Sequence, residues 1–156
     1  MRVGVPVDFL DPFEWLSSRT GPDRIIWQAR HHNKIRAMCG IAAVVSGDGA
    51  PGPEHLAGEI ERFLSRPGDE MRFFGGMRFD DGCDADSIWQ GFRGYRFVLP
   101  RFELHRRGSH AQMYCNLIFP EDSARLDFIL HEIEDLRTED LHGTRGLPEA
   151  VSRIDY

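Results

Sequence analysis

The sequence contains a single lysine, Lys34, and every other cationic side chain except histidine is an arginine. Acidic residues outnumber lysine and arginine by 25 to 19, so the formal net charge is −6 at pH 7. A chain with this balance has no basic field that would attract a polyanion. We therefore expect neither nucleic acid nor a membrane surface among its partners.

Cysteine is also scarce. Cys39, Cys83 and Cys115 are widely spaced and form no C-x-x-C pair, which argues against a zinc knuckle or a redox pair of that kind. No apolar run approaches the ~20 residues that span a bilayer. Asp8 and Asp11 interrupt the N-terminal segment, where a signal peptide would be apolar. These absences predict a soluble, cytoplasmic protein.

Hydrophobic patterns along residues 1–137 predict one α+β domain, an antiparallel β-sheet with outer helices. Asp11 followed by Pro12 is typical of a helix N-terminus, and Pro53 suits the first turn of a second helix. Segment 122–137 reads as another clear helix with an apolar stripe of Leu126, Ile129, Leu130, Ile133 and Leu136. Residues 138–156 are polar and are predicted to be an interdomain linker.

The predicted strands arrive in consecutive, hairpin-like order, which favours antiparallel pairing. They cover residues 2–10, 24–30, 35–45 and 71–80, followed by a hairpin of 95–107 and 110–119 about Gly108-Ser109. Gly40 and the pair Gly75-Gly76 lie inside strand patterns and indicate a bulge or a close backbone approach, and Pro100 indicates an edge or a bulge.

The segment from Gly47 to Gly52 spells G-x-G-x-x-G and raises the question of dinucleotide binding. Such a loop needs the helix to begin at once, so that its free N–H groups meet the pyrophosphate. Pro51 and Pro53 remove donors where they are needed, and the helix cannot begin before about Pro53. We therefore interpret the segment as a strand-to-helix loop.

The other candidate motifs also fail. The acidic segment Asp80–Asp86 lacks the acid spacing of an EF-hand. His31, His32, His105 and His110 form no H-x-x-x-H, and the last two flank the hairpin turn, where polar residues are common. Ser46 and Ser109 have no G-x-S-x-G surroundings. We predict no catalytic, cofactor-binding or metal-ligating residue, and we expect Arg78, Arg96 and Arg101 to form structural ion pairs.

Several segments in order resemble one family. They are "IIWQAR", "CGIAAV", "FFGGMRFD", Trp89 and "YRFVLPRFEL", with "PVDFLDPFEWLSSR" and "YCNLIF" extending the likeness over nearly the whole chain. This order resembles the N-terminal region of isochorismate synthases of the chorismate-utilising enzyme family, closest to the menaquinone-pathway branch, with the siderophore and salicylate branches as alternatives. The matched residues are structural: Trp27, Gln28, Gly40, Phe74, Gly75, Gly76, Phe79, Trp89, Leu99, Pro100 and Phe102.

The resemblance implies enzymes that add water at C2 of chorismate and expel the C4 hydroxyl, with Mg2+ on the carboxylates. It implies that a lysine in a strand like K-V-V-L-A-R is the catalytic base and that a later glutamate is the acid. Glutamates still later in the chain would bind the metal. This sequence has no such motif. We therefore expect the chain to be one half of the family fold, to bind no cofactor alone, to be inactive alone, and to need a C-terminal catalytic half.

Two alternatives stay open. The chain could be a non-catalytic binding or regulatory module, although the apolar runs Ile41–Val45 and Phe97–Leu99 argue against a sheet with a polar outer face. It could also complete a split chorismate-utilising enzyme in trans. Sequence does not separate this second possibility from a truncated chain.

Overall fold

Six strands form one antiparallel sheet in the computed structural model, which describes residues 1–7, 11–30, 33–49, 51–64, 71–78 and 93–138. The elements in chain order are β1 (Arg2–Val7), α1 (Pro12–Ser17), β2 (Arg24–Gln28), β3 (Lys34–Gly47), α2 (Pro53–Glu61), β4 (Phe74–Met77), β5 (Tyr95–Arg107), β6 (His110–Asn116) and, after a 3-10 turn (Ser123–Arg125), α3 (Leu126–Thr138). The predicted α+β class is confirmed.

Strand β5 is the centre of the sheet because three strands pair with it. The strand order is β1-β6-β5-β3-β2, with β4 pairing β5 beside this path. β3 runs along one edge of β5, and the other edge is shared: β4 pairs with residues 95–98 and β6 with residues 102–107. We call the part of the sheet around β6 the hairpin end and the part around β4 the β4 end.

The first helix and the hairpin form where the sequence predicts them. The Oδ1 atom of Asp11 accepts hydrogen bonds from the backbone N–H groups of Phe13 (2.9 Å) and Glu14 (3.2 Å). Pro12 occupies the first turn of α1, where a missing N–H costs no helical hydrogen bond. Gly108 adopts a φ of +60° between β5 and β6, which matches the tight turn predicted there.

A bulge interrupts the pairing of β3 with β5. The register moves by one residue between Ile41 and Ala43. Gly40, just before it, has a φ of +67°, and a Cβ there would lie 3.2 Å from the Cβ of Arg101. The bulge predicted at Gly40 is confirmed. Pro100 lies opposite Ile41, at the bulge, so the prediction of an edge or a bulge position is confirmed by the bulge in an interior strand.

Two apolar clusters form at the two ends of the sheet. At the hairpin end, side chains of the sheet pack with those of α1 and α3; this cluster comprises Trp15, Leu16, Ala37, Cys39, Phe102, Leu104, Ala111, Met113, Cys115, Leu117, Ile129, Ile133 and Leu136. At the β4 end, the buried members are Ala43, Met71 and Leu99, with Phe63 and Leu64 from the segment after α2 packed against them.

The two clusters lie on opposite faces of the sheet. Successive side chains of a strand point to opposite faces. β5 contributes the even-numbered Phe102 and Leu104 to the first cluster and the odd-numbered Leu99 to the second. We call the face that carries α1 and α3 the helix face, and the opposite face at the hairpin end the second face.

Some element boundaries differ from the predictions. β6 ends at Asn116 rather than at residue 119, because Asp122 accepts a hydrogen bond from the N–H of Ile118 (2.7 Å) and draws the chain into a turn. α2 ends at Glu61, so Phe63 and Leu64 lie beyond the helix. The loop predicted from Gly47 begins later, because β3 extends to that residue, while Pro53 does begin α2.

The predicted stripe of α3 is wrong at one position. Leu130 is 40% exposed, whereas Ile129, Ile133 and Leu136 are buried. A residue directly after Ile129 is turned by about 100° around the helix and therefore leaves the buried side. The close approach predicted at Gly75 is confirmed, since a Cβ there would overlap the carbonyl oxygen of residue 96.

Several predictions concern residues outside the described ranges. They are those on Cys83, on the pair His31-His32, on Phe79 and Trp89, on the acidic segment Asp80–Asp86 and on the linker from residue 139 onward. Within the described ranges, no helix has the length and the apolar composition to cross a membrane.

Candidate functional site

Five polar side chains meet on the second face, and we call them the polar cluster: Arg2, Glu103, His105, Tyr114 and Asn116. They come from three neighbouring strands, β1, β5 and β6. Glu103 and His105 are two residues apart in β5 and so point to the same face. Arg2 pairs with Asn116, and Glu103 pairs with Tyr114, which brings the other three side chains beside them.

Glu103 is the centre of the polar cluster and is completely buried. Its Oε2 atom lies 2.7 Å from Nε2 of His105 and 3.3 Å from Nη2 of Arg2. Its Oε1 atom accepts a hydrogen bond from Nδ2 of Asn116 at 2.7 Å. A buried carboxylate is costly unless it is paired and hydrogen-bonded, and here both oxygens are used.

The environment sets the protonation states of this cluster. Burial lowers the pKa of His105, an effect that the neighbouring Glu103 only partly offsets, so the imidazole is neutral at pH 7 and its Nε2–H donates to the carboxylate. Burial alone would raise the pKa of Glu103. The hydrogen bond from His105, the charge of Arg2 and the amide of Asn116 outweigh burial, so the pKa of Glu103 is lowered.

The polar cluster ties β1 to the sheet. The guanidinium of Arg2 lies 4.0 Å from the ring centroid of Tyr114, and the N-terminal ammonium donates to the carbonyl oxygen of Leu117 at 2.7 Å. A general base must come within hydrogen-bond reach of its substrate. Because Glu103 is completely buried, this arrangement can hold three strands together but does not present the carboxylate to a ligand.

The lowered pKa of His105 predicts a loss of stability on acidification. In the unfolded chain His105 has its ordinary pKa of 6.5, whereas in the folded chain its pKa is lower. The free energy of unfolding should therefore fall as the pH drops below about 6.5. It should fall further below about 4.5, because the pKa of Glu103 is also lower in the folded chain than in the unfolded chain. Chemical denaturation between pH 4 and 8 measures this.

A matched pair of variants isolates the contribution of His105, which also faces Arg2 from β1 and Arg36 from β3. His105→Gln should remove the upper part of the pH dependence. His131→Gln, at an exposed position on α3, serves as the control. An unaltered pH profile in His105→Gln would contradict the assignment.

A cleft of about 550 Å³ opens on the helix face, between the end of α1, the bulge of β3 and α3. Its charged lining residues have both signs: Arg19, Arg101, Arg125, Glu132 and Asp135. Burial raises the pKa of Glu132, an effect that Arg101 and Arg125 partly oppose. The mixed charge gives the cleft no strong preference for anionic or cationic ligands.

Arg101, which lines this cleft, forms a structural ion pair. Its two terminal nitrogens lie 2.6 and 3.0 Å from the two carboxylate oxygens of Asp122, and Nη1 also donates to the carbonyl oxygen of Asn116 at 2.9 Å. Arg96 forms a more exposed pair with Asp23 at 3.2 Å. The ion pairs predicted for these two arginines are confirmed.

The described cysteines are not nucleophiles. Cys39, which lines the cleft, and Cys115 are both buried and free. Burial raises the pKa of Cys39 to about 11 and that of Cys115 to about 12. Both thiols therefore stay protonated at neutral pH, and a protonated thiol is a poor nucleophile and a poor metal ligand.

Within the described ranges, no set of side chains matches the ligands of the Mg2+ ion that the sequence resemblance implies. Such an ion is held by oxygen ligands in near-octahedral geometry, usually including one or two carboxylates. No group of three His, Cys, Asp or Glu side chains converges in the part of the chain that the structure describes.

The sequence patterns place His105 beside the hairpin turn and predict no site residue near it. In the structure Glu103 lies inside β5, and His105 packs against its carboxylate. The E-x-H spacing on a predicted strand was the available signal, because it puts both side chains on one face. His110 does begin β6, next to the turn, and is exposed.

The polar cluster and the ion pair of Arg101 with Asp122 thus join neighbouring segments of an antiparallel α+β domain. A family model described as chorismate binding enzyme matches residues 1–151, nearly the entire chain. The chain therefore belongs to the chorismate-binding enzyme family. A search of curated proteins found no match.

Proposed function

We propose that the chain is the N-terminal part of an isochorismate synthase, a Mg2+-dependent isomerase that adds water at C2 of chorismate and expels the C4 hydroxyl. The observation that carries this proposal is membership of the chorismate-binding family over residues 1–151. The segments "WQAR", "FGGMRFD" and "LPRFEL" resemble isochorismate synthases, and this likeness favours the isochorismate synthase reaction within the family. The product would enter menaquinone, siderophore or salicylate biosynthesis.

The chain's single lysine supports the proposal that the catalytic residues lie elsewhere. Activating water needs a base beside the reacting carbon, and the resemblance assigns that role to a lysine in a K-V-V-L-A-R-like strand. Lys34 stands instead at the start of β3, opposite Arg107 near the hairpin turn. A C-terminal catalytic half, in the same or a separate chain, would supply the base, the acid and the metal ligands.

The second face is where we place the contact with that half. α1 and α3 cover the helix face, whereas no described helix contributes to the polar cluster. Trp27, which pairs with Arg36 on the second face, is 40% exposed and has the guanidinium 5.7 Å from its ring centroid. If the catalytic half docked on the second face, α1 and α3 would lie on the outer side of the complex.

We expect the purified chain to form no isochorismate from chorismate and Mg2+. The same assay with the catalytic half present, covalently joined or added, should yield isochorismate, because the missing base is then supplied. Chromatographic separation of chorismate and isochorismate measures both reactions. Formation of another product, such as salicylate or an aminated chorismate, would contradict the proposed reaction.

A conservative variant of the single lysine serves as the control. Lys34→Arg keeps the positive charge but removes an amine that could act as a base. It should leave the rate of the complete enzyme unchanged. Turnover by the isolated chain that Lys34→Arg abolishes would show that this half carries its own base, and the proposal would be wrong.

A further inference from the structure

Most of the described charged side chains that line the cleft on the helix face have polar partners in the domain. Arg101 forms the ion pair described above, and Nε of Arg19 donates to a backbone carbonyl oxygen of α1 at 3.3 Å. The carboxylate of Asp135 lies 3.6 Å from an imidazole on the same helix. The remaining charged lining residues, Arg125 and Glu132, are the groups that a ligand in the cleft can engage.

The carboxylate of Glu132 is half-buried and receives no hydrogen bond from a described residue. Burial therefore raises its pKa, because the carboxylate has lost water without gaining a donor. The guanidinium of Arg125 lies 5.8 Å from the ring centroid of Phe128, and no described side chain forms an ion pair with it. A ligand that supplies a donor to Glu132 and an acceptor to Arg125 would satisfy both groups.

The spacing of these two residues prevents them from pairing with each other. Side chains on a helix meet when their residues are three or four positions apart. Arg125 and Glu132 are two turns apart along the helix, so their Cα atoms are separated by about 10 Å. The buried Ile129 lies between them and also lines the cleft. Along this wall the cleft therefore presents a cation, an apolar side chain and an anion, in that order.

The other walls of the cleft restrict the chemical class of its ligand. The sheet contributes the apolar side chains of Ile41 and Phe102. The volume of about 550 Å³ lies within the range of roughly 300–1,000 Å³ that is typical of small-molecule sites. A ligand with only a positive charge would be repelled by the arginines of the cleft, and one with only a negative charge by its carboxylates. A molecule that carries both charges avoids both penalties.

We propose that this cleft binds a dipolar small molecule with an amine and a carboxylate at opposite ends of an apolar segment. The amine donates to Glu132, the carboxylate accepts from Arg125, and the apolar segment lies along Ile129. The two charges of an α-amino acid are adjacent and do not match this spacing. Because the cleft is open to solvent, we expect a dissociation constant of about 1 mM for a short ligand.

An NMR titration with 6-aminohexanoate tests this class of ligand. Norleucine is its isomer with adjacent charges, and hexanoate and hexylamine each carry only one of the two charges. In the spectrum of the labelled full chain, the backbone amides of Gly40, Ile129 and Glu132 should shift saturably with 6-aminohexanoate. The three control compounds should bind at least tenfold more weakly. Equal binding of any control would overturn the dipolar class, and the lack of saturable shifts up to about 20 mM would overturn the site.

A matched pair of variants tests the role of Glu132. Glu132→Gln keeps the shape of the side chain and should weaken the binding of 6-aminohexanoate at least tenfold. The variant should fold, because burial already favours the neutral form at this position. Asp127→Asn, an exposed change on the same helix outside the cleft, serves as the control. Unchanged binding in Glu132→Gln would contradict the proposal. The inference is independent of the proposed reaction, which this result would leave standing.

Discussion

Replacing Glu103 with leucine is expected to lower the free energy of unfolding by about 3–5 kcal/mol. The substitution leaves the guanidinium of Arg2, only 8% exposed, without the carboxylate that faces it. It also leaves Nδ2 of Asn116 with only the carbonyl of Pro100 as acceptor. Arg2 then loses the carboxylate that offsets the cost of its burial, which accounts for the size of the effect. Urea denaturation measures it.

Two further variants separate charge from packing. Glu121→Leu, at an exposed position, should change the stability by less than about 0.5 kcal/mol. Combining Glu103→Leu with Arg2→Met removes both charges and should recover part of the loss, because no buried guanidinium is then left without its carboxylate. A loss below about 1 kcal/mol in Glu103→Leu would show that Arg2 reaches water in the variant, and that the polar cluster does not stabilise the sheet.

Arg101→Met is expected to cost about 3 kcal/mol, at the low end of the range for a buried ion pair. The variant leaves the buried carboxylate of Asp122 with the N–H of Ile118 as its remaining described hydrogen-bond donor. Since Asp122 lies directly before the 3-10 turn that enters α3, the docking of α3 should weaken as well. Thermal or urea unfolding followed by circular dichroism measures the change.

The same strand supplies the control for this variant. Arg96 pairs with Asp23 at 3.2 Å, but both side chains are substantially exposed. Exposed ion pairs contribute at most about 1 kcal/mol, so Arg96→Met should be nearly neutral. Equal losses in Arg96→Met and Arg101→Met would show that burial does not distinguish the two pairs.

The sequence predicted those features of the fold that depend on neighbouring residues. Asp11 and Pro12 mark the start of α1 because capping involves only the first helical turn. The hairpin about Gly108 and the strand patterns on either side of it are equally local. The antiparallel class followed from the order of these elements.

The polar cluster and the ion pair of Arg101 with Asp122 depend on tertiary contacts, so their partners could not be predicted from local sequence patterns. Glu103 needs Arg2, a residue 101 positions earlier in the chain, before its burial makes physical sense. The partner of Arg101 could not be named from spacing, since Asp122 reaches it only after the chain turns beyond β6. Gly40 did indicate the bulge. Which face each later side chain of β3 points to could be assigned only from the pairing of β3 with β5.

The part of β3 that follows the bulge has a fixed length. Deleting one residue there, for example Val44, would turn every later side chain of β3 to the opposite face and carry Val45 away from the buried side where it now lies. Insertions in the loops carry no such penalty. Among descendants of this sequence, length variation should therefore accumulate between the strands and spare the paired residues from Ala43 to Gly47.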